Sequence, residues 1–167
     1  MNRDSAGERI RGGTEPPAQY FEITEPSGGS VDASGASITH MDDFASYEIA
    51  EGLFFRPVFA QNISLNFVTF PPDSGFPSHV HPEEQISIVR EGEMDITFGD
   101  ITQRVKPGDV IVFPPHVPHE GRTFDSACRL IDIFSPPRTG IREVIAEADP
   151  VRSAEVDRWW DPDEAPA

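Results

Sequence analysis

Short strand-like runs separated by turn residues dominate the middle of this 167-residue sequence, and they restrict the folds that it can adopt. Runs rich in β-branched and aromatic residues occupy positions 53–59, 63–70, 85–89, 94–98, 110–113 and 129–134. Seventeen prolines and thirteen glycines leave few long stretches for helices. The pattern predicts an all-β domain whose antiparallel strands form a sandwich or barrel.

Turn residues stand between several of these runs, at Glu91-Gly92, at Gly99-Asp100 and in the segment 106–109. Such residues favour tight reversals of the chain, so we expect hairpins at these positions. A single segment, 141–148, places its apolar residues on one helical face. The sequence therefore predicts one short helix near the C-terminus.

Composition divides the chain into three parts. Residues 1–37 are rich in small and polar residues and contain too few apolar ones for a core, so we expect a flexible N-terminal arm. Residues 38–150 contain the strand runs and should form the barrel. Residues 151–167 should form a C-terminal tail. A hydrophobic content of 37% suits one such domain.

The formal net charge is −16, and acidic residues are spread along the whole chain. This charge repels phosphate backbones and anionic membranes, so neither nucleic acid nor a membrane is an expected partner. The sequence lacks a signal-peptide pattern and has one cysteine, Cys128, so we expect a cytoplasmic protein without an internal disulfide. Cys128 lies in an apolar run and should pack as a small hydrophobe.

Three histidines predict a metal site. His79 and His81 are two residues apart, and alternation along a strand would place both imidazoles on the same face. Gln85 has the parity to return to that face after a bend, whereas Glu84 would point away. His119 follows a turn, a strand and a proline-rich loop, and it completes the set. Glu84, and with it Glu83, stays open as a rival to Gln85.

Two motifs that contain these residues resemble the paired motifs of cupins. Gly75-(x)3-His79-Val-His81-(x)3-Gln85-(x)6-Gly92 is similar to the first motif, and Pro107-Gly-Asp-(x)4-Pro114-(x)4-His119 is similar to the second. The resemblance covers about residues 50–138 and implies a double-stranded β-helix, the jelly-roll barrel of cupins. Many cupins have Glu where this chain has Gln85, so the site resembles the subgroup with three His and one Gln.

The neutral Gln85 amide has a chemical consequence. A divalent ion held by three imidazoles and one amide oxygen keeps its full positive charge as a Lewis acid. An amide stabilises higher oxidation states less than a carboxylate does, which favours non-redox chemistry. Zn, Ni, Mn and Fe all suit this ligand set, and we expect one such ion.

The segment from Leu130 to Arg138 resembles the Asp-x-Phe-Ser-Pro-x-Arg ending of cupins that open unsaturated uronate rings. Strand alternation places Asp132 and Phe134 on one face. The resemblance implies that Asp132 is a general acid and base, that Phe134 is a wall of the pocket and that Arg138 is an anion anchor. The structural alternative is that Asp132 forms an ion pair with an arginine at the strand end.

Three more residues are candidates for the pocket. His116, on the loop before His119, is either a proton donor to a substrate or an exposed loop histidine. Phe67 and Phe98 would either line an apolar substrate pocket or pack in the core.

Together these features predict a metal-dependent enzyme that isomerises, cyclises or cleaves a small molecule by elimination, through an enolate-like intermediate. The resemblance extends to uronate ring-opening cupins and to small zinc cupins that cyclise aromatic polyketides. One alternative is an iron or nickel dioxygenase, and another is a non-catalytic ligand-binding cupin. Cupin barrels commonly pair, so a homodimer is expected.

Overall fold

The structure, a computed structural model, describes residues 37–151 of the chain. The arm predicted at 1–37 and the tail predicted at 151–167 fall outside these residues, except for one residue of each. Antiparallel strands make up most of the described part, which confirms the all-β prediction. Within this part, no helix has the length and apolar character that a membrane span requires.

The elements follow one another along the chain as short segments. They are a 3₁₀ helix (Met41–Asp43), β1 (Ser46–Ala50), β2 (Leu53–Phe59), β3 (Ser64–Phe70), β4 (Gly75–His79), β5 (Glu84–Glu91), β6 (Met94–Phe98), β7 (Ile101–Val105), β8 (Val110–Phe113), β9 (His119–Arg122), β10 (Cys128–Ser135), α1 (Gly140–Ala146) and β11 (Pro150–Val151).

The strands form two sheets. One sheet has the order β11-β1-β2-β3-β10-β5-β8, and the other has the order β4-β9-β6-β7. From β3 to β6 the chain alternates between the two sheets, which is the winding of a double-stranded β-helix. The predicted jelly-roll barrel with a short C-terminal helix is confirmed.

The prediction of hairpins at the three turns is correct at one of them. Gly99-Asp100 joins β6 to β7, which pair with each other. Gly92 instead leads from β5 into a strand of the other sheet, and the segment 106–109 likewise joins β7 to β8 across the sheets. At Gly92, φ is +71° and a Cβ atom would collide with the Ala127 carbonyl oxygen, so the chain can cross between the sheets there only with glycine.

Strands β4 and β9 carry two of the histidines and were not predicted, because Gly, Pro and polar residues interrupt them. They pair with each other in a register that sets His79 opposite His119. Neither glycine in this pairing leaves room for a side chain: a Cβ atom at Gly75 would collide with the carbonyl oxygen of Gly121, and one at Gly121 would collide with the Phe76 ring. The two glycines therefore allow these strands to bring the histidines together.

The apolar core lies between the sheets. Its buried members include Val68, Val89, Met94, Ile96 and Leu130. Cys128 belongs to this core, and burial raises the pKa of its thiol to about 12, so the prediction of a packed hydrophobe is confirmed.

Helix α1 begins one residue before the predicted segment and ends two residues before its end. Ile141 is buried at its first turn, whereas Val144, predicted on the same face, is 46% exposed. Both residues line a cavity that also reaches the predicted histidines His79 and His119. The helix therefore contributes one wall of this cavity instead of being a fully packed element.

Candidate functional site

The three predicted histidines lie together at one end of the barrel. One nitrogen from each of His79, His81 and His119 lies within 4.8 Å of the others. His79 ends β4 and His119 begins β9, but His81 lies beyond the strand end, so simple strand alternation does not account for its position. The loop holds it instead, because the His116 N–H donates to the His81 carbonyl oxygen at 2.9 Å.

A hydrogen bond to a backbone carbonyl fixes the tautomer of each ring. The Nδ1 atoms of His79, His81 and His119 lie 3.0, 2.9 and 2.9 Å from the carbonyl oxygens of Pro77, Glu83 and Val117, respectively. A carbonyl oxygen only accepts, so each Nδ1 carries a proton. Each Nε2 is then left with a free lone pair, which is the form that binds a metal.

Burial keeps these rings neutral. It lowers the pKa of all three histidines, and that of His119 to about 4, with hydrogen bonds to the backbone acting in the opposite direction. The His119 Nε2 is buried and has no hydrogen-bond partner among residues 37–151. A buried lone pair without a donor is unfavourable, and a metal ion would satisfy it, so the residues fit the predicted ion.

Gln85 adds an oxygen to the three nitrogens. Its side chain is buried, and its Oε1 lies 3.0 Å from the Nε2 of His81. Glu84 is exposed on the opposite face of β5. Glu83 approaches the far side of the ring, with its Oε2 3.5 Å from the His81 Nδ1. The geometry therefore supports Gln85 over both carboxylates, and the ligand assignment itself stays a prediction.

A cavity of about 380 Å³ opens beside these ligands. Its walls are mostly apolar and come from both sheets and α1, with Phe55, Val68, Phe70, Phe76, Ile96, Phe113, Leu130 and Phe134 among them. His79, His119 and Gln85 also line it, so a molecule in the cavity would reach the site of the ion.

Polar side chains cross this apolar wall in one row. Asp132 on β10 pairs in register with Ser87 on β5 and with Asn66 on β3, and all three face the cavity. The Ser87 hydroxyl donates to Asp132 Oδ1 at 2.6 Å. Burial raises the pKa of Asp132 to about 6 against the opposing effect of this bond. No arginine forms an ion pair with Asp132 in the described part of the chain, so the structural alternative lacks its partner.

Arg138 and Phe134 both line this cavity. Phe134 is buried, and the Arg138 guanidinium carbon is 5.2 Å from the centre of its ring. Within residues 37–151, the Arg138 side chain has no ion pair and no hydrogen bond. Burial lowers its pKa, and Glu83 and Asp132 act in the opposite direction. The cavity thus contains one cation that lies over the Phe134 ring and forms no ion pair with a described residue.

The structure places three other candidates away from this cavity. His116 is exposed and contributes its backbone N–H to the loop. Phe67 lies on the opposite face of β3 from Asn66, because adjacent strand residues alternate. Phe98 lines a smaller cavity and packs 6.5 Å from the ring of Phe113. Of the three predicted pocket phenylalanines, only Phe134 lines the cavity beside the histidines.

Sequence reasoning missed Asn66 and did not assign a role to Ser87. Asn66 is 2% exposed, and its Oδ1 has no hydrogen-bond partner among the described residues. Strand parity could have found both, since Asn66 alternates with Val68 and Phe70, and Ser87 with Gln85. The signal for both residues was a polar side chain on the face of a strand whose other residues are mostly apolar and point into the barrel.

Comparisons with known proteins agree with this geometry. Residues 66–134 match the family model of the cupin domain. The chain is 34% identical over 87 residues to the dimethylsulfoniopropionate lyase DddQ of Ruegeria pomeroyi, a match that covers 51% of this chain and 42% of that one. It is 38% identical over 61 residues to the H2HPP isomerase of Bacillus subtilis, covering 36% and 25% of the two chains. The chain thus spans less than half the length of these relatives.

A solved structure is similar over a larger share of the chain. The polyketide cyclase RemF from Streptomyces resistomycificus has a TM-score of 0.54 and 25% sequence identity. The similarity covers 60% of this chain and 79% of the cyclase.

Replacing a histidine should remove the metal. We expect His79→Ala, His81→Ala and His119→Ala each to lose most of their bound ion, because one of four ligands is deleted from a site that also keeps open positions. Metal content per folded protein, measured by mass spectrometry after dialysis, tests this. His40→Ala is the matched control, since His40 is exposed and lies outside the cluster. Full occupancy in all three variants would refute the site.

Asn66 should contribute little to stability, although it is buried. We expect Asn66→Leu, which keeps the approximate shape, to melt at the same temperature or higher, because it removes an unpaired polar atom. The matched control is Thr123→Val, at a fully buried hydroxyl that donates to the Pro71 carbonyl at 2.7 Å. The free energy of unfolding of that variant should fall by about 1–3 kcal/mol. Equal destabilisation of both variants by thermal melting would mean that Asn66 has a structural role.

Proposed function

Because this chain carries a cupin domain, we propose that it is a metal-dependent enzyme that moves protons on a small organic molecule. The reaction class is isomerisation, cyclisation or elimination. One observation carries the proposal: a buried carboxyl group, Asp132, lines the same largely apolar cavity as His79 and His119, two members of the cluster of three unprotonated imidazoles.

In this proposal, His79, His81, His119 and Gln85 hold one divalent ion, and Zn, Ni, Mn or Fe would suit them. When bound, the ion acts as a Lewis acid, which polarises a substrate oxygen and stabilises the negative charge that develops as a neighbouring proton leaves. The backbone carbonyls behind the rings keep each Nε2 turned towards this position.

Asp132 is the proposed general base and acid. A pKa of about 6 lies close to neutral pH, so the group can both accept and return a proton there. Its carboxylate would take a proton from a substrate carbon. Returning that proton at another position gives isomerisation, whereas departure of a leaving group gives elimination.

Arg138 and the cavity walls indicate which substrates would fit. The guanidinium lies over the Phe134 ring, forms no ion pair with a described residue and would attract a carboxylate. The apolar walls would hold a hydrocarbon body, and Asn66 offers an acceptor to a substrate hydroxyl. We therefore propose small carboxylic acids with an apolar body and a carbonyl or hydroxyl oxygen next to an acidic C–H bond.

The names of the similar proteins support this reaction class. A lyase, an isomerase and a cyclase carry out elimination, isomerisation and ring closure, and each shares part of its sequence or fold with this chain. All three reaction types can begin with a proton transfer next to a polarised oxygen.

Asp132→Asn should slow proton transfer by roughly 10²- to 10⁴-fold, because it keeps the shape of the side chain and removes the base. The assay is exchange of C–H for deuterium in 2-oxobutanoate, 4-methyl-2-oxopentanoate and phenylpyruvate, followed by proton NMR in D₂O above the rate without protein. Metal is added in excess, so that differences in loading do not affect the comparison.

Asp95→Asn is the control for this experiment, since Asp95 lies on the other sheet and is paired with Arg104 at 2.7 Å. It should exchange at the wild-type rate. Oxygen consumption by the wild type with these acids would favour the dioxygenase alternative. Binding of the acids without exchange or oxygen uptake would favour the non-catalytic alternative, and either result would contradict the proposal.

A further inference from the structure

Three buried side chains form a chain of hydrogen bonds that ends at the proposed metal position. The Gln85 amide nitrogen, Nε2, donates to Ser87 Oγ at 2.8 Å, and Ser87 Oγ donates to Asp132 Oδ1 at 2.6 Å. Their exposed fractions are 5%, 1% and 8%. Water therefore does not compete for these bonds, and each donor and acceptor depends on the others.

The chemistry of these groups decides which group donates and which accepts in each of these hydrogen bonds. An ionised carboxylate can only accept, so the single hydroxyl proton of Ser87 goes to Asp132. The Ser87 oxygen is then free only to accept, and the Gln85 group that can donate to it is the NH₂ end of the amide. The other end, Oε1, must turn the opposite way, where it lies 3.0 Å from the His81 Nε2.

This orientation is needed for metal binding. An amide binds a divalent ion through its oxygen, whereas its NH₂ group has no lone pair suited to the ion. Without Ser87, a rotation of 180° would turn the NH₂ end of the Gln85 amide towards the unprotonated His81 Nε2, to which it can donate. Both orientations would then be populated, and only one of them binds.

The backbone keeps the three groups in line. Gln85 and Ser87 have the same parity on β5, so both face the interior. Asp132 is the register partner of Ser87 on the neighbouring strand β10. A chain of sheet hydrogen bonds therefore supports the side-chain bonds, and the three groups cannot separate without disturbing the sheet.

We infer that Ser87 is a positioning residue for the metal site: it uses the Asp132 carboxylate to hold the oxygen of the Gln85 amide towards the ion. The inference rests on the metal site of the proposed function. It adds that affinity for the ion depends on two residues that do not touch it, Ser87 directly and Asp132 through Ser87.

Changing either residue should weaken binding for the same reason. Ser87→Ala removes the acceptor that holds the NH₂ end. Asp132→Asn introduces an amide that can donate to the Ser87 oxygen, and the Ser87 proton can then go to Gln85 Oε1. That arrangement would turn the Gln85 NH₂ group towards the ion. Loss of such an orienting partner typically lowers metal affinity by about 10- to 100-fold.

The experiment measures Zn²⁺ affinity by competition with a chromophoric chelator, without substrate, together with the melting temperature of each protein. We expect Ser87→Ala and Asp132→Asn each to bind Zn²⁺ about 10- to 100-fold more weakly than the wild type. The double variant should bind no more weakly than Ser87→Ala, because Asp132 acts through Ser87. Ser64→Ala is the matched control: Ser64 is also 1% exposed, but its hydroxyl accepts from the Arg138 backbone N–H, so Zn²⁺ affinity should be unchanged.

The outcomes separate this inference from the metal site itself. Wild-type Zn²⁺ affinity in Ser87→Ala, or additive losses of affinity in the double variant, would overturn the positioning role of Ser87. If His119→Ala still binds Zn²⁺ weakly in the same experiment, the metal site itself remains supported. Additive losses would mean that Asp132 acts on the ion through its charge alone. Wild-type affinity in His119→Ala would instead refute the metal site, and the proposed function with it.

Discussion

Three hydrogen bonds from imidazole rings to backbone carbonyls decide what the rest of this site can do. In each case the carbonyl belongs to a residue two positions away from the histidine: Pro77, Glu83 and Val117. The local chain itself therefore sets the tautomer and the direction of each ring. Because the proton is held at Nδ1, three Nε2 lone pairs converge inside the barrel, and they need a cation between them.

Apolar and polar side chains have different roles inside the barrel. Apolar residues such as Met94, Ile96 and Leu130 fill the interior and supply the hydrophobic stabilisation. Around the cavity, the His119 Nε2 and the Asn66 Oδ1 are buried without partners among the described residues, and Asp132 is buried with a raised pKa. Each of the two unpaired atoms destabilises the folded protein by about 1–3 kcal/mol. Buried polar groups that destabilise the fold are expected at sites where they bind a ligand.

Sequence reasoning was most successful where a periodic pattern and a buried face coincide. Strands β2, β6 and β8 begin and end at the predicted residues, and the parity of β10 placed Asp132 and Phe134 on the inner face. In these strands burial follows alternation, so the sequence contains the information directly.

The strands that complete the site could not be predicted in this way. β4 and β9 contain Gly75, Pro77 and Gly121, whose intrinsic preference is against strands, and they are ordered by pairing with each other. The position of His81 depends on a loop contact from the His116 backbone, which is remote in sequence. The role of Ser87 depends on the register between β5 and β10, and no local pattern encodes that register.

The proposed chemistry requires that three imidazoles and the Gln85 oxygen surround one divalent ion. X-ray absorption spectroscopy of the zinc-loaded protein tests this directly, because the spectrum reports the number and type of ligand atoms. We expect three imidazole nitrogens at about 2.0–2.1 Å, with oxygen from Gln85 and solvent at about 2.0–2.2 Å. The Gln85→Ala variant should keep the imidazole scattering and lose one oxygen. A spectrum with fewer than three imidazoles, or one that is unchanged in the Gln85 variant, would contradict the account.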